Sequence, residues 1–417
     1  MKKFKKVFVF VLATVLLASI LGACTGNTGD APAGETPAAE APAAEAPAAE
    51  GGGWTCPVTS DGSVDWAALG LAPVEINNVD TFPVNAAAPD GGNFKSQMEV
   101  MDMLTPQDLE AIYNGGHTAY IVMHFMNASW SQLQVAGMTA VCEALNIQIL
   151  GVGDGQAKAD EQVSIIESAI GQNPDILMIK SVDDDALVDI ETKAADQGIV
   201  VVGIDTANLD LIESGKVISM IQADNYTFSQ LCAEAIVERL NEEGEVLMLN
   251  YINPLWHTNL RTQAAQDTFA KYPNVDIVSE MKMGTPEEAA DITESVISAH
   301  PNLGAIWAAW NDPATAAGSV AVNLGKTDII ASGPGISTDS AYMMATNGPF
   351  IGGCADFAYD MGVTNALVGI AGVLGKDVPK YVAVPVVAYT RDNLADVWER
   401  VFHEPLDATT LEALESN

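Results

Sequence analysis

Polar and aromatic side chains follow directly after segments that the sequence predicts to be buried strands. Asn127 and Trp130 come after the apolar run 120–126, and Asp205 ends the run 199–204. Amide and carboxylate oxygens accept hydrogen bonds from hydroxyl groups, and a flat indole face suits the C–H face of a sugar ring or another apolar ligand. These residues therefore predict a small-molecule site, although Asp205 is also placed where an aspartate caps a helix without touching a ligand.

A second group follows the apolar run 305–309 in the later half of the chain. Trp307 lies inside that run and is predicted to be in the core, whereas Trp310, Asn311 and Asp312 come after it. Ligands of open parallel sheets bind beyond the carboxyl ends of the strands. Trp310 and Asn311 are therefore predicted to face a ligand.

Arg261 follows the loop 253–260 and begins a predicted helix that runs toward Phe269. The helix dipole does not favour a cation at that end, which suggests that Arg261 is there to donate hydrogen bonds to hydroxyl groups or a carboxylate. A solvated arginine is the alternative. Trp256, in the same loop, either contacts the ligand or only fills the loop.

The elements that must position these residues alternate regularly between strands and helices from His117 onward. Continuous apolar strands separated by amphipathic helices predict parallel sheets covered on both faces. A first series is followed by a second, which predicts an α/β protein with two doubly wound lobes and a cleft between them. The predicted strands are residues 120–126, 147–152, 176–179, 199–204, 217–221, 246–250, 275–278, 305–309 and 329–331.

Three motifs have simpler explanations than chemistry. Gly151, Gly153 and Gly155 follow a strand, but their spacing is not that of a dinucleotide-binding loop and no basic residue lies among them, so turn formation is the preferred interpretation and no nucleotide cofactor is predicted. The run 183–185 of three aspartates fits no calcium loop and is interpreted as an acidic cluster at a helix N-terminus. The five histidines lack metal-ligand spacing.

Sequence motifs for nucleophilic or metal-dependent catalysis are missing. There is no GxSxG elbow and no HExxH helix, and no metal site is predicted. The sequence therefore favours a binding protein over an enzyme, and a secreted enzyme on a two-lobed scaffold is kept as an alternative that turnover of a bound sugar would establish.

The N-terminus has the features of a secreted and lipid-anchored protein. Four lysines precede the apolar run 7–20, which is short for a membrane span, and Leu-Gly-Ala-Cys follows. This stretch resembles the bacterial lipoprotein signal, with residues 1–23 removed and Cys24 lipidated; an ordinary signal peptide with an incidental cysteine is the alternative. Residues 24–53 are rich in Ala, Pro, Glu and Gly, which predicts an extended tether. Residues 54–116 are predicted to be an extension that packs on the main fold.

The charge of the chain excludes some classes of partner. Removal of four lysines from 18 basic residues leaves 14 against 55 acidic ones, a net charge of about −41. Such a charge argues against binding to nucleic acid or anionic lipid head groups. The remaining cysteines, Cys56, Cys142, Cys232 and Cys354, lack CxxC spacing and are interpreted as isolated thiols packed as small hydrophobic side chains.

The order and spacing of these features resemble the type I periplasmic sugar-binding proteins of ABC transporters, the group that includes ribose-binding protein. The resemblance covers roughly residues 119–390. It rests on the following strings: Met-Asn-Ala-Ser-Trp at 126–130, Val-Gly-Ile-Asp at 202–205, Ala-Asp-Asn at 223–225, Arg261 before a helix, Ala-Trp-Asn-Asp at 309–312 and Gly-Gly-Cys-Ala-Asp at 352–356.

The resemblance implies two lobes joined by a hinge of three crossovers. The first lobe would comprise residues 117–222 and 354–384, and the second 223–353 and 385–410. Asn127, Trp130 and Asp205 would lie on the wall of the first lobe and Arg261 and Asn311 on that of the second. Asp356 would lie near the hinge.

The chain departs from ribose binders at three positions. Gly-Pro-Gly-Ile at 333–336 replaces a Gly-x-Asp-Gly run, Thr206 replaces a ligand-clamping arginine, and Asp356 replaces a glutamine. These departures argue against assuming ribose itself. The expected ligand is a small sugar or sugar alcohol, held between Trp130 and either Trp256 or Trp310.

The resemblance predicts a monomeric solute-binding lipoprotein, held on the outer face of the cell membrane through Cys24, that delivers its ligand to an ABC permease. A sensor lipoprotein of the same fold is the alternative, binding a signal such as an autoinducer-like furanose or a nucleoside. Neither interpretation requires a cofactor.

Overall fold

The computed structural model describes residues 54–73, 81–82, 84, 87–253 and 255–416 of the 417-residue chain. The predicted signal peptide, Cys24 and the tether lie outside these residues. Within the described ranges, no helix is long and apolar enough to cross a membrane.

Strands and helices alternate along the described chain as the sequence predicts. The strands are β1 (Thr81–Phe82), β2 (Thr118–Met123), β3 (Gln148–Asp154), β4 (Ile176–Ile179), β5 (Val200–Ile204), β6 (Val217–Ala223), β7 (Glu243–Tyr251), β8 (Asn274–Met283), β9 (Leu303–Ala308), β10 (Ile330–Ser332), β11 (Gly353–Asp356), β12 (Tyr381–Val384) and β13 (Val386–Tyr389). The α-helices are α1 (Gln97–Asp102), α2 (Pro106–Gly115), α3 (Ser129–Ala144), α4 (Ala159–Gln172), α5 (Val188–Asp196), α6 (Leu209–Ser214), α7 (Asn225–Arg239), α8 (Trp256–Phe269), α9 (Pro286–Ala299), α10 (Asn311–Asn323), α11 (Thr338–Ala345), α12 (Ala358–Val373), α13 (Leu394–Phe402) and α14 (Ala408–Ser416).

The first sheet is parallel and has helices on both faces. Its strand order is β12-β6-β5-β4-β2-β3. Alternate residues of a strand face opposite sides of a sheet, and β2 shows this directly. Ile121 and Met123 pack with Val363 of α12, whereas Val122 packs on the other side with Ile166 of α4. The continuous apolar strands therefore follow from burial on both faces.

The second sheet is also parallel, with strand order β10-β9-β7-β8. Trp307 in β9 has no exposed surface, which confirms the prediction that it belongs to the core. Helix α7 packs beside α8 over this sheet, and α10 packs beside α9.

The chain passes between the two sheets three times. It leaves the first sheet after β6, returns between β10 and β12, and leaves again between β12 and β13. A small antiparallel sheet of order β1-β13-β11 lies along these passages. The predicted α/β fold of two doubly wound parallel sheets joined by three crossovers is confirmed.

The N-terminal extension packs against the main fold. Cys56 and Leu71 belong to the same hydrophobic cluster as the first sheet. The backbone of Lys95 pairs with β12, accepting from the N–H of Ala383 at 2.9 Å. The ring of Phe94 lies 6.3 Å from that of Tyr381 in β12 and 6.3 Å from that of Trp256 in α8. The extension therefore contacts elements of both sheets.

The structure corrects two local predictions. Strand β2 ends at Met123 instead of Met126, so that His124 and Phe125 begin the loop. Gly151 and Gly153 lie inside β3 and do not form a turn. A Cβ atom at Gly151 would lie 2.7 Å from the ring of Tyr120, and one at Gly153 would lie 2.4 Å from Ile165. These glycines allow close packing of neighbouring side chains instead.

Candidate functional site

A cavity of about 170 Å³ lies where the carboxyl ends of strands from both sheets meet. A single water needs roughly 10–15 Å³ on the same measure, so a ligand of about a dozen non-hydrogen atoms fits. The loops after β2, β4 and β5 form the wall of the first sheet, and the loops after β7, β8, β9 and β10 form the wall of the second. The charged and aromatic lining residues are His124, Phe125, Trp130, Lys180, Asp205, Phe228, Tyr251, His257, Arg261, Trp310, Asp312 and Asp356.

Asp205 lies on the wall of the first sheet in a left-handed backbone conformation, with φ of 58°. Its residue is 3% exposed. Oδ2 accepts a hydrogen bond from Lys180 Nζ at 3.0 Å and faces His257 Nε2 at 3.4 Å. Oδ1 is buried without a hydrogen-bond partner among the described residues. Asn208, not Asp205, caps the following helix α6, so the capping alternative is wrong.

The charges around Asp205 keep it ionised. Burial raises the pKa of its carboxyl, but the neighbouring His257, Lys180 and Arg261 side chains outweigh that effect and hold the pKa below its ordinary value. Burial lowers the pKa of His257 well below its ordinary value, with Lys180 and Arg261 adding to the effect. At physiological pH His257 is therefore a neutral imidazole, and the cations that keep Asp205 ionised there are Lys180 and Arg261.

Trp130 connects the first wall to β11 of the small antiparallel sheet. Its indole Nε1 donates a hydrogen bond to Asp356 Oδ2 at 2.8 Å, and Lys180 Nζ lies 5.8 Å from the centre of its ring. Burial raises the pKa of Asp356 to about 6, against the opposing effect of the Trp130 hydrogen bond. Asp356 and Trp130 are brought together as parts of one site, although they are 226 residues apart.

Arg261 lies on the wall of the second sheet and is 8% exposed. Nε donates to Asn225 Oδ1 at 2.6 Å, Nη1 donates to the carbonyl of Ala309 at 3.2 Å, and the guanidinium lies 5.0 Å from the ring of Phe228. The alternative of a solvated arginine is therefore wrong. Helix α8 begins at Trp256, so Arg261 stands in its second turn and not at its start.

Asn311 and Trp310 form the rest of the second wall. Asn311 Nδ2 donates to Asp312 Oδ1 at 2.7 Å and to Ser337 Oγ at 2.8 Å. The ring of Trp310 meets that of Tyr251 edge to face, with 5.4 Å between their centres. These contacts fix the orientation of both predicted residues.

Two predicted residues do not line the cavity. Asn127 is exposed in the loop before α3. Trp256 lines a neighbouring pocket of about 410 Å³ together with Asp183, Asp185 and Asp210. Successive helix residues are about 100° apart, so α8 turns His257 and Arg261 toward the cavity and Trp256 away from it. The structure therefore places Trp310, and not Trp256, in the cavity with Trp130.

Lys180 and His257 are cavity residues that the sequence analysis missed. Lys180 follows β4 directly, in the same relation that Asp205 has to β5. A position directly after a buried strand is therefore the sequence signal for Lys180 as well as for Asp205. His257 is one helical turn before Arg261, and only the true start of α8 places it on the same face.

A buried carboxyl pair lies near the first wall. Glu191 is 2% exposed, and burial together with the charge of Asp184 raises its pKa to about 8. The aspartate run 183–185 lies in the turn that leads directly into α5, which begins at Val188. Asp183 accepts the backbone N–H groups of Asp185 and Ala186 in this turn.

The four described cysteines are buried and none is in a disulfide. Their burial confirms the prediction that they pack in the interior as small hydrophobic side chains. Among the residues that the structure describes, no cluster of three or more His, Cys, Asp or Glu side chains is arranged to hold a metal ion.

Two parallel sheets, three passages between them and a cavity lined from both define the two-lobed class of α/β binding proteins. The model of the periplasmic binding protein domain family matches residues 118–348, and the chain belongs to this family.

Similar proteins include two curated relatives. The D-apiose import binding protein of Actinobacillus succinogenes is 24% identical over 176 residues, which are 42% of this chain and 56% of the relative. The D-ribose/D-allose-binding protein of Pseudomonas aeruginosa is 28% identical over 162 residues, which are 38% of this chain and 50% of the relative. The chain thus spans about half the length of the curated relatives it matches.

A solved structure shows the same fold. It is an ABC transporter periplasmic solute-binding protein from Actinobacillus succinogenes with bound D-allose, with a TM-score of 0.60 and 20% identity. The match covers 65% of this chain and 97% of that one.

Proposed function

We propose that this protein captures a small sugar or sugar alcohol in its interlobe cavity, without chemical turnover, and delivers it to an ABC permease. The observation that carries the proposal is the cavity itself. Hydrogen-bonding groups and indole rings from both sheets line it: Asp205, Lys180 and Trp130 on one wall, Arg261 and Trp310 on the other. Polar groups fix the orientation of a polyhydroxylated ligand, and flat rings pack against its C–H faces.

The curated relatives support the ligand class. Their names identify binders of D-apiose and of D-ribose or D-allose. These compounds are neutral and carry several hydroxyl groups, as the alternating donors and acceptors of the cavity require.

The lobes would act as a hinged clamp. We assign residues 117–222 and 354–384 to the first lobe and 223–353 and 385–410 to the second. The membership of β12 in the first sheet and the packing of α13 in the core of the second support these boundaries. A ligand that contacts both walls favours the closed form, and the permease would recognise that form.

A lipid group on Cys24 would anchor the protein to the outer face of the cell membrane. The basic flank, the apolar run and the small residues before Cys24 support this part of the proposal. Replacing Cys24 with Ser should release the protein from membranes into the medium. Membrane retention of the Cys24→Ser protein would contradict the anchor.

A thermal-shift screen tests the ligand class. D-ribose, D-allose, D-apiose, pentitols, nucleosides and amino acids would each be added to the purified protein. A ligand at about 100 times its Kd adds roughly 2.7 kcal/mol of stability, which raises the melting temperature measurably. A shift with a nucleoside or amino acid and none with any polyol would overturn the sugar proposal.

A further inference from the structure

Lys180 has an unusual environment for a lysine. Its side chain is only 4% exposed, and Asp205 Oδ2 is the one hydrogen-bond acceptor found for its ammonium group among the described residues. An ammonium group has three donors, and buried donors that make no hydrogen bond are costly. Because Lys180 lines the cavity, a ligand is the partner that its position offers for the remaining donors.

The backbone around Lys180 is held from both sides. Its N–H donates to the carbonyl of Val122 at 2.8 Å. The amide of Gln162 donates to the carbonyl of Lys180 at 2.7 Å and accepts from the N–H of Val182 at 2.8 Å. A Cβ atom at Gly155 would lie 2.4 Å from Gln162 Cγ, so Gly155 makes room for this clamp. Lys180 is therefore presented to the cavity in a fixed position, as a ligand contact requires.

Asp205 offers the cavity a hydrogen-bond acceptor next to the donors of Lys180. Lys180 and His257 both face Oδ2, at 3.0 and 3.4 Å, while Oδ1 lacks a partner among the described residues. The pair thus offers one acceptor, Oδ1, beside one set of donors on Nζ. Two hydroxyl groups on adjacent carbons match this arrangement, because one can donate to the carboxylate while the other accepts from the ammonium.

We propose that Lys180 is a specificity-determining residue of the cavity, which together with Asp205 recognises a vicinal diol of the ligand. The inference rests on the proposed sugar-binding function and adds to it a residue and the chemical group that it reads. The competing explanation is a structural ion pair in which Lys180 only neutralises Asp205.

The test measures binding of D-ribose and D-allose by calorimetry to the wild type, Lys180→Met, Asp205→Asn and the double variant. Each single change should weaken binding roughly 10- to 100-fold, as expected for a lost charge-assisted hydrogen bond. The double variant should bind within about threefold of the weaker single variant, because the two residues act as one unit. Lys193→Met is the matched control: Lys193 pairs with Glu167 on the surface, and its loss should leave affinity unchanged.

A second readout separates recognition from structural support. Every vicinal diol on a ribose ring includes the hydroxyl group on C2 or C3. The wild type should therefore bind 2-deoxy or 3-deoxy-D-ribose at least about tenfold more weakly than D-ribose, and Lys180→Met should discriminate by less than about threefold. If Lys180→Met does not fold, Lys180→Gln serves in the same comparisons, and the wild-type discrimination still tests the diol.

The outcomes distinguish this inference from the proposed function. Binding of a sugar to the wild type with an unchanged affinity in Lys180→Met overturns the role of Lys180 and leaves the function intact. Losses that multiply in the double variant overturn the shared recognition. Failure of the wild type to bind any sugar or sugar alcohol of the thermal-shift screen overturns the proposed function, and this inference with it.

Discussion

The two walls of the cavity hold their charged groups in different ways. On the first wall a cation and an anion pair with each other, Lys180 with Asp205. On the second wall the cation Arg261 is held by neutral oxygens, the side-chain amide of Asn225 and the carbonyl of Ala309. Removing one member of the first pair therefore leaves its direct partner as an unpaired buried charge, whereas the hydrogen-bond partners that removal of Arg261 leaves behind are two neutral acceptors. The walls should contribute to binding alike but to stability differently.

The largest effect is expected from Asp205→Ala. This change leaves Lys180 buried without its counter-ion, and breaking a buried pair typically costs about 3–5 kcal/mol. Chemical denaturation of the ligand-free protein should show a loss of that size, together with loss of sugar binding. A ligand-free protein as stable as the wild type would show that Lys180 reaches solvent when Asp205 is absent.

The next effect concerns Glu191 near the first wall, and it depends on pH. The pKa of Glu191 is about 8 in the folded protein, against a value of 4.5 for an unperturbed side chain. Between these values the folded state binds more protons than the unfolded state, so stability falls as pH rises through this window. Glu191→Gln should remove that slope. The wild type should lose roughly 3 kcal/mol of stability between pH 5 and pH 8 that the variant keeps.

Denaturation curves at pH 5, 6.5 and 8 measure the Glu191 effect. Glu167→Gln is a suitable control, because Glu167 is exposed and pairs with Lys193. Equal pH slopes for the wild type and Glu191→Gln would mean that Glu191 is not protonated in the folded protein.

Arg261→Ala should have a smaller effect on stability than Asp205→Ala. The lost hydrogen bonds to Asn225 and Ala309 suggest a cost of about 1–3 kcal/mol, while binding should weaken about 100-fold or more. Calorimetry and denaturation of the same sample measure both quantities. Arg239→Ala, at an exposed position on α7, is the control. Equal losses of stability in Asp205→Ala and Arg261→Ala would contradict the expected difference between the two walls.

The smallest effects are expected from the two indoles. Trp130→Phe removes the donor to Asp356 Oδ2, whereas no hydrogen bond of the Trp310 indole is found among the described residues. Trp130→Phe should therefore cost about 0.5–1.5 kcal/mol of stability and raise the pKa of Asp356 further above 6. Trp310→Phe, the matched change on the other wall, should leave stability nearly unchanged. The pH dependence of binding between pH 5 and 8 reports on Asp356.

Strand positions were the most predictable part of the fold. The apolar run 176–179 has in the sequence the same bounds that β4 has in the structure. The spacing of apolar residues determines where such strands begin and end, because burial on both faces requires an unbroken apolar run. Helix starts were less predictable: α8 begins five residues before Arg261, and its first residue has no side-chain cap to mark it.

Residues directly after strands were predicted better than residues at the start of a helix. Asp205 and Trp310, which follow strands, line the cavity as expected. Trp256, at the start of α8, faces the neighbouring pocket. One residue of helix phase moves a side chain by about 100°, so an error in the start of α8 exchanges Trp256 for His257. The role of the glycines at 151 and 153 could not be predicted locally, because their packing partners come from other elements.

The sequence by itself determined the alternation of elements, the two parallel sheets and the family resemblance, because these depend on the local period of apolar residues. Only the tertiary structure decided how the wall residues are paired. Trp130 with Asp356 and Arg261 with Asn225 are contacts between distant parts of the chain. Their partners are set by which strand ends become neighbours in space. Lys180 and Asp205 are partners for the same reason: β4 and β5 lie side by side in the sheet, so the residues that follow them are neighbours in space.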